Sequence, residues 1–254
     1  MCLVPEASEL DNDMKASLVR AGYDAIADDY LRLARDVPET QPRRERTAAI
    51  LATLPVGASV LELGCGAGMP VAAEIISRDH SYIGVDVSPR QIELAASHVP
   101  LGDFRLGDIA DQQFGAGMFD AVLALYMITH VPRERWAVLI ANIHQWLKPG
   151  GVLLINVPHG DSPGWLEEDF LGFGATNWTN AYGAGRTVEM LEAEGFTVCE
   201  AIPLELRAVG LDHRVQDDRT DRDPVKQRGT DGRERGQRMA RSSRRSLCAT
   251  VTGM

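Results

Sequence analysis

Apolar and polar positions divide the chain into alternating helical and extended stretches. Over residues 11–36, Met14, Leu18, Tyr23, Ile26, Tyr30 and Leu33 recur at spacings of three, four and five, which predicts an amphipathic helix or a pair of them. Pro38 and Pro42 end it, and a shorter helix over 43–54 leads to a first strand at 60–63. A helix over 71–77 is followed by Tyr82-Ile83-Gly84-Val85-Asp86, a near-continuous apolar run of the kind a parallel strand buried on both faces requires. Ser88-Pro89-Arg90-Gln91 supplies a capping box with proline at the first helical position. Phe104 and Leu106 alternate with polar residues as a short third strand, and 119–125 reads as a fourth. Pro132 opens a helix that places Trp136, Leu139, Ile140, Ile143 and Leu147 on one face; Lys148-Pro149-Gly150-Gly151 stops it and turns the chain into a fifth strand at 152–155.

From 158 to 186 the character changes: Gly and Asn are interleaved with Trp165, Phe170, Phe173, Trp178 and Tyr182. Rings in such a loop can close over a small molecule and exclude water, so the segment is read as a substrate lid, with a well-packed connector as the alternative. A helix over 187–194, capped by Gly195, and a sixth strand from Phe196 to Cys199 complete the regular pattern. Alternating strands and helices predict an α/β domain.

The chemistry concentrates in Val60-Leu61-Glu62-Leu63-Gly64-Cys65-Gly66-Ala67-Gly68-Met69-Pro70. A strand, a glycine turn and a helix start in succession bring bare backbone amides close to a ligand, and Pro70 stands where a missing N–H is tolerated. Dinucleotide sites read G-x-G-x-x-G and would need glycine at Met69; here the spacing is G-x-G-x-G, with Glu62 two residues ahead. A tight turn with no ligand is the alternative reading. Asp86 ends the second strand, where a carboxylate can accept hydrogen bonds from both ribose hydroxyls of an adenosine.

The Glu62–Gly68 pattern resembles motif I of the class I S-adenosylmethionine-dependent methyltransferases. Four further features resemble the same family in the same order. Tyr23-Asp24-Ala25-Ile26-Ala27-Asp28-Asp29-Tyr30 is similar to its Y-D-x-x-A-x-x-Y segment, Gly107-Asp108-Ile109 to its G-D motif, Phe119-Asp120-Ala121-Val122 to its F-D-x-V strand, and Leu147-Lys148-Pro149-Gly150-Gly151 to its L-K-P-G-G turn. The resemblance spans residues 23–199. It implies a doubly wound, mainly parallel Rossmann-like sheet behind N-terminal capping helices, with S-adenosylmethionine across the carboxyl ends of strands one and four. It also implies cofactor-binding roles for Tyr23, Tyr30, Glu62, Gly64, Gly66, Gly68, Asp86, Val87, Gln91, Asp108, Ile109 and Leu125. The tyrosines would lie near the methionine end, with Asp108 on the adenine amino group and Ile109 against the ring.

The implied reaction is methyl transfer to a small organic acceptor, oxygen first, with nitrogen or carbon open. His130, in the loop after strand four, is the candidate base, since a neutral imidazole can take a hydroxyl proton. A histidine that only bonds backbone is the bland alternative, and His159 is the second choice of base. No acid cluster has the spacing of a divalent metal site, so none is expected. A cofactor-binding cyclase or regulatory module without methyl transfer is a second reading. A nicotinamide-dependent oxidoreductase is a third, disfavoured by Met69 and by the L-K-P-G-G turn.

Charge narrows the partners. The net charge of −10 over 254 residues is uneven: 212–254 holds eleven Arg or Lys against seven Asp or Glu, which leaves the first 211 residues at −14. Such a body repels nucleic acid and anionic membranes. No apolar run approaches the ~20 residues of a membrane span, and the acidic start lacks the features of a secretory signal. A cytoplasmic protein acting on a small molecule is therefore expected, with a homodimer open. Cys2, Cys65, Cys199 and Cys248 lack the spacing of a disulfide framework or zinc cluster. Arginine exceeds lysine twenty-three to three, which hints at a GC-rich bacterial source.

The resemblance fails at the C-terminus. Family members finish with an antiparallel strand seven inserted between strands five and six, but after 205–211 apolar residues nearly vanish. Residues 1–211 are accordingly read as the methyltransferase domain, with cap helices over 1–54 and a core over 55–211. Residues 212–254 are read as a disordered low-complexity tail, and the last strand as incomplete or atypical. The sixth strand would then need 205–211 or another chain beside it, and the arginine-rich end also reads as an altered or out-of-frame terminus.

Overall fold

A computed structural model describes residues 9–36, 41–202 and 247–253. In chain order the elements are α1 (Asn12–Asp36), α2 (Gln41–Leu51), β1 (Ser59–Leu63), α3 (Val71–Ser77), β2 (Ser81–Asp86), α4 (Pro89–His98), β3 (Asp103–Leu106), β4 (Phe119–Ala124), α5 (Arg133–Trp146), β5 (Leu147–Val157), β6 (Ser162–Glu167), β7 (Asn177–Ala181), α6 (Ala184–Ala193), β8 (Phe196–Ile202) and β9 (Leu247–Gly253). Seven strands form one sheet in the order β3-β2-β1-β4-β5-β9-β8, every neighbouring pair parallel.

Successive strand residues point to opposite faces, so each central strand feeds two cores. Leu61, Leu63, Val122, Leu153 and Ile155 pack on one side with Trp136, Leu139, Ile140 and Ile143 of α5 and Leu191 of α6. Val60, Ala121, Leu123 and Leu154 pack on the other with Leu51 of α2 and Val71, Ala72 and Ile75 of α3. Two buried faces explain why these strands read as unbroken apolar runs. From β1 the chain moves outward to β2 and β3 and then returns to β4 on the other side. That reversal opens a crevice at the carboxyl ends of β1 and β4.

The doubly wound, mainly parallel α/β reading holds; three local readings change within it. In α1 the buried face runs through Val19, Ile26, Ala27, Leu31 and Ala34, while Met14 is exposed, because alanines carry much of the contact. The L-K-P-G-G turn falls inside β5, where Gly150 takes a left-handed φ of +81° and the register with β4 shifts. The aromatic segment is an ordered antiparallel pair, β6 with β7, not an irregular lid. Phe170 and Trp178 are buried against α1, while Trp165 and Phe173 remain exposed. Gly22 of α1 permits this approach, since a Cβ there would stand 2.7 Å from the Thr176 carbonyl oxygen.

The last strand is present and atypical. Residues 247–253, expected in a disordered tail, form β9 between β5 and β8 and run parallel to both, where the family resemblance implied an antiparallel strand. The expected pairing of 205–211 lies outside the described residues. Cys199 of β8 is disulfide-bonded, which its isolated position in the sequence did not suggest. Among the described residues no helix is long and apolar enough to cross a membrane.

At the amino edge of the sheet one carboxylate joins three segments. Asp120 Oδ2 accepts from Ser59 N–H at 2.8 Å and from Lys148 Nζ at 2.7 Å, tying β1, β4 and the turn within β5. Burial opposes the charge, but the Lys148 and Ser59 hydrogen bonds outweigh it and hold the carboxyl below the usual aspartate range. Because the folded chain then releases this proton more readily than the unfolded one, the stabilisation is complete above the ordinary aspartate pKa and is lost as pH falls through the lowered folded value. Asp120→Asn is expected to cost about 1 kcal/mol near neutral pH, a figure reduced for the partial exposure of Lys148, and much less near pH ~2. Urea unfolding at both pH values checks this; an equal cost at both would contradict it.

Candidate functional site

The crevice at the carboxyl ends of the strands continues into a cavity of about 700 Å³, counting its open mouth. Its walls come from α1, the glycine turn after β1, the end of β2, the first turn of α4, the turn after β3 and the segment after β4.

Asp86 is the junction. Its Oδ2 accepts the Gly66 N–H at 2.9 Å and its Oδ1 the Ser88 N–H at 2.9 Å, so one buried carboxylate fixes the glycine turn against the start of α4. Burial pushes its carboxyl upward, opposed by these backbone N–H groups. The Val87 N–H adds a third backbone interaction, and a carboxylate with about four acceptor sites still has capacity for a ligand. Only half of the predicted capping box forms. Ser88 Oγ accepts from Gln91 N at 3.1 Å, but Asp86 has taken the Ser88 N–H that the Gln91 side chain would otherwise cover. The Gln91 amide is consequently buried beside the cavity with neither end hydrogen-bonded. A buried amide in that condition costs stability unless a ligand completes it.

The glycine turn differs from expectation in how it meets a ligand. Gly64 N–H and Cys65 N–H both bond the Val85 carbonyl, at 2.8 and 3.0 Å, and Gly68 N–H bonds the Cys65 carbonyl at 3.1 Å. With Gly66 N–H on Asp86, these four amides are turned inward and form no anion cradle. What the turn provides is close approach: Gly64 has φ +71°, and a Cβ there would stand 2.5 Å from Met127 Cβ.

His130 also lines the cavity, at the end of a short 3₁₀ turn, Ile128–His130. Its Nδ1 lies 2.9 Å from the Trp178 carbonyl oxygen and its Nε2 3.0 Å from the Tyr23 hydroxyl. A carbonyl only accepts, so Nδ1 carries the hydrogen and the Tyr23 O–H donates to Nε2. Desolvation pushes the imidazole down to about 4, against the Trp178 carbonyl, which favours the charged form. Burial also raises the Tyr23 phenol well above its usual range. Asn180 of β7 secures the same turn by donating to the Thr129 and Val131 carbonyls at 2.6 and 2.8 Å. The aromatic hairpin thus acts as the frame for His130.

Eleven of the fourteen residues singled out from sequence line this cavity: Tyr23, Tyr30, Gly64, Gly66, Asp86, Val87, Gln91, Asp108, Ile109, Leu125 and His130. Glu62, Gly68 and the second candidate base, His159, do not. Glu62 faces a smaller cavity beyond the glycine turn with Arg43 and Cys65, and its Oε2 accepts from Tyr82 O–H at 2.7 Å. Burial raises its carboxyl to about 7, opposed by Tyr82 and Arg43. Gly68 packs beneath Phe104 and Ala95, where a Cβ would meet Phe104 at 3.0 Å. Asp108 caps the turn at Ala110 N, 2.8 Å away, and pairs with Arg135 at 3.1 Å. Ala16, Val19, Tyr126, Met127, Val131 and Pro132 complete the lining. Of these, 126–131 follow directly from the end of β4, whereas Ala16 and Val19 carry no local signal. Tyr126 takes a left-handed φ of +59°, with its N–H held by Asn156 Oδ1. Among the described residues no group of three His, Cys, Asp or Glu side chains is placed to hold a metal ion.

The sequence model of a family described as a methyltransferase domain matches residues 33–201. A 2-methyl-6-phytyl-1,4-hydroquinone methyltransferase of Synechocystis is 32% identical over 110 residues, covering 41% of this chain and 33% of its own length. The O-methyltransferase cnsE of Penicillium expansum is 28% identical over 166 residues, covering 62% of this chain and 57% of its own. The chain therefore spans between a third and three-fifths of the length of these curated relatives. Among solved structures, the Burkholderia thailandensis 1,6-didemethyltoxoflavin-N1-methyltransferase, which holds its substrate and S-adenosylhomocysteine, superposes with a TM-score of 0.57. It is 22% identical and covers 77% of this chain and 82% of its own, a likeness of fold.

The neutral state of His130 sets a stability prediction. Its folded pKa of about 4 lies below the ordinary 6.5, so between these values the unfolded chain binds a proton that the folded chain does not, and stability falls as pH drops through that window. His130→Phe is expected to remove this slope, so that its stability relative to the parent improves by about 2–3 kcal/mol between neutral pH and pH ~4. Chemical denaturation across that range checks it; parallel curves would show that the ring titrates freely.

Proposed function

The chain belongs to the methyltransferase-domain family, and from that premise we propose that it transfers the methyl group of S-adenosylmethionine to a small organic acceptor, with oxygen the atom methylated. The observation that supports this reading most is the cofactor wall of the cavity. Asp86 offers carboxylate lone pairs to a ligand, the Gln91 amide offers an unused donor and acceptor, and the amides of Gly64, Cys65, Gly66 and Gly68 are consumed internally. That wall fits a ribose with a nucleobase and no phosphate, whereas a pyrophosphate would call for free amides. Asp86 would hold the ribose hydroxyls, Asp108 and Ile109 the adenine, and Tyr23 and Tyr30 the methionine end.

When bound, the cofactor supplies an electrophilic methyl group on a sulfonium; the protein contributes position and exclusion of water. The imidazole lone pair of His130 that could take an acceptor proton is reached through the Tyr23 hydroxyl. Among its relatives are a methyltransferase named for a 2-methyl-6-phytyl-1,4-hydroquinone and an O-methyltransferase, which supports a small acceptor methylated on oxygen. The acidic body and arginine-rich composition support a cytoplasmic bacterial enzyme with no nucleic-acid partner.

Calorimetric titration of the full chain with S-adenosylmethionine, and with NADH as control, tests the reading. Micromolar binding of the first and none of the second is expected; the reverse would overturn it, and a melting curve on the same sample separates misfolding from lack of affinity. Asp86→Ala should weaken binding by about 1.5–3 kcal/mol, roughly ten- to hundred-fold. Unchanged affinity would remove the ribose role.

A further inference from the structure

The smaller cavity beyond the glycine turn has a volume of about 320 Å³, counting its open space, and Tyr30, Gly64 and Gly66 line both it and the main cavity. A ligand in the main cavity can therefore pass one end into the smaller one, where it meets Arg43 of α2. Arg43 is a buried cation short of partners. Its guanidinium lies over the Tyr126 ring, 4.7 Å from the centroid, and hydrogen-bonds Tyr30, while its Nε is buried with no hydrogen-bond partner. Glu62 is the carboxylate whose charge reaches it, but Glu62 Oε2 takes its hydrogen from Tyr82. Burial raises the Glu62 carboxyl to about 7, so near neutral pH it is only about half ionised. A guanidinium does not shed its proton to escape burial, and one with half a counter-charge favours an incoming anion.

One turn along α2 the condition repeats. The charge of Arg46 acts on the same Tyr126 phenol, and its Nη1 is buried without a partner. The next residue, Thr47, is fully buried with its hydroxyl unbonded. Residues 43, 46 and 47 are spaced to share one face of the helix. Tyr126 is fixed beside them by its left-handed backbone, φ +59°, whose N–H is held by Asn156 Oδ1. Two guanidiniums with unused hydrogens at one ring form a donor set that a carboxylate completes, and charge-assisted bonds of this kind are the stronger ones.

We propose, resting on the methyl-transfer reading, that Arg43 and Arg46 form a carboxylate-binding subsite beside Tyr126, filled by a reactant that extends from the main cavity past Tyr30. Two reactants can supply the carboxylate, the amino-acid end of the cofactor or an acid group on the acceptor. In either case Arg43 makes the contact, and Arg46 adds charge from the next turn of the helix.

The test is calorimetry on the full chain with S-adenosylhomocysteine, its decarboxylated analogue, which keeps the amine, and 5′-methylthioadenosine, which lacks the amino-acid end. If the cofactor supplies the carboxylate, S-adenosylhomocysteine binds at least about ten-fold more tightly than the analogue, and Arg43→Gln shrinks that preference to within roughly three-fold. Affinity for methylthioadenosine should stay within roughly three-fold of the parent, which shows that the variant is folded. If Arg43→Gln loses that ligand too, Arg46→Gln carries the comparison and should reduce the preference. If the acceptor supplies the carboxylate, S-adenosylhomocysteine and its analogue bind alike, and the S-adenosylhomocysteine complex binds 2-naphthoate at least about ten-fold more tightly in the parent than in the variant. A carboxylate preference that survives the substitution in a folded variant overturns the proposal, as does equal binding of the two cofactor forms without arginine-dependent binding of naphthoate. Failure of all three adenosine ligands to bind the parent removes the methyl-transfer reading itself, whereas their binding with no carboxylate preference and no naphthoate effect removes only the subsite.

Discussion

The site depends on one buried carboxylate. By accepting the Gly66 and Ser88 N–H groups, Asp86 fixes the turn after β1 against the start of α4, the two segments that face each other across the cofactor wall. A second carboxylate extends the tie to α1. Asp24 Oδ1 accepts from Ser88 Oγ and, at 3.1 Å, from Arg90 N–H, so the helix carrying Tyr23 and Tyr30 is anchored on the same first turn of α4. The reversal of strand order at β1 provides the crevice; these two acids determine which side chains look into it.

The part of the cavity around His130 is held by a different logic. Trp178 and Asn180 of β7 bond the His130 ring and the backbone on either side of it, which makes the hairpin a frame for a neutral imidazole. Tyr23 joins the two ties, because it sits on the anchored helix and donates to the framed ring. A charged imidazole would meet a desolvated setting with no carboxylate bonded to it, so the arrangement favours neutral chemistry at this end of the cavity.

Much of this was legible because the governing signals are local. Buried parallel strands announce themselves as apolar runs, Asp86 follows one and precedes a capped helix, and the alternating glycines mark the turn between β1 and α3. What escaped the sequence depends on partners far along the chain. The Glu62 side chain points to Tyr82 and Arg43, away from the main cavity, because Tyr82 on the adjacent strand supplies a donor at 2.7 Å. The Gln91 amide is unpartnered because Asp86, five residues earlier, takes the N–H that a capping box would reserve for it. The framing of His130 by Trp178 joins residues 48 apart, and β9 enters the sheet from a stretch whose surroundings read as polar low complexity. Periodicity reports which face of an element is buried; it does not report which distant polar group will meet it.

The central claim is that the Asp86 and Gln91 wall is built for a ribose-bearing cofactor without phosphate. A crystal structure of the full chain with S-adenosylhomocysteine tests it most directly. The account predicts ribose hydroxyls on the Asp86 carboxylate, the Gln91 side chain hydrogen-bonded to the ligand or to water that the ligand orders, and the glycine-turn amides still bonded to Val85 and Asp86. A ligand bound away from Asp86, or one that pulls those amides free to cradle it, would contradict the account.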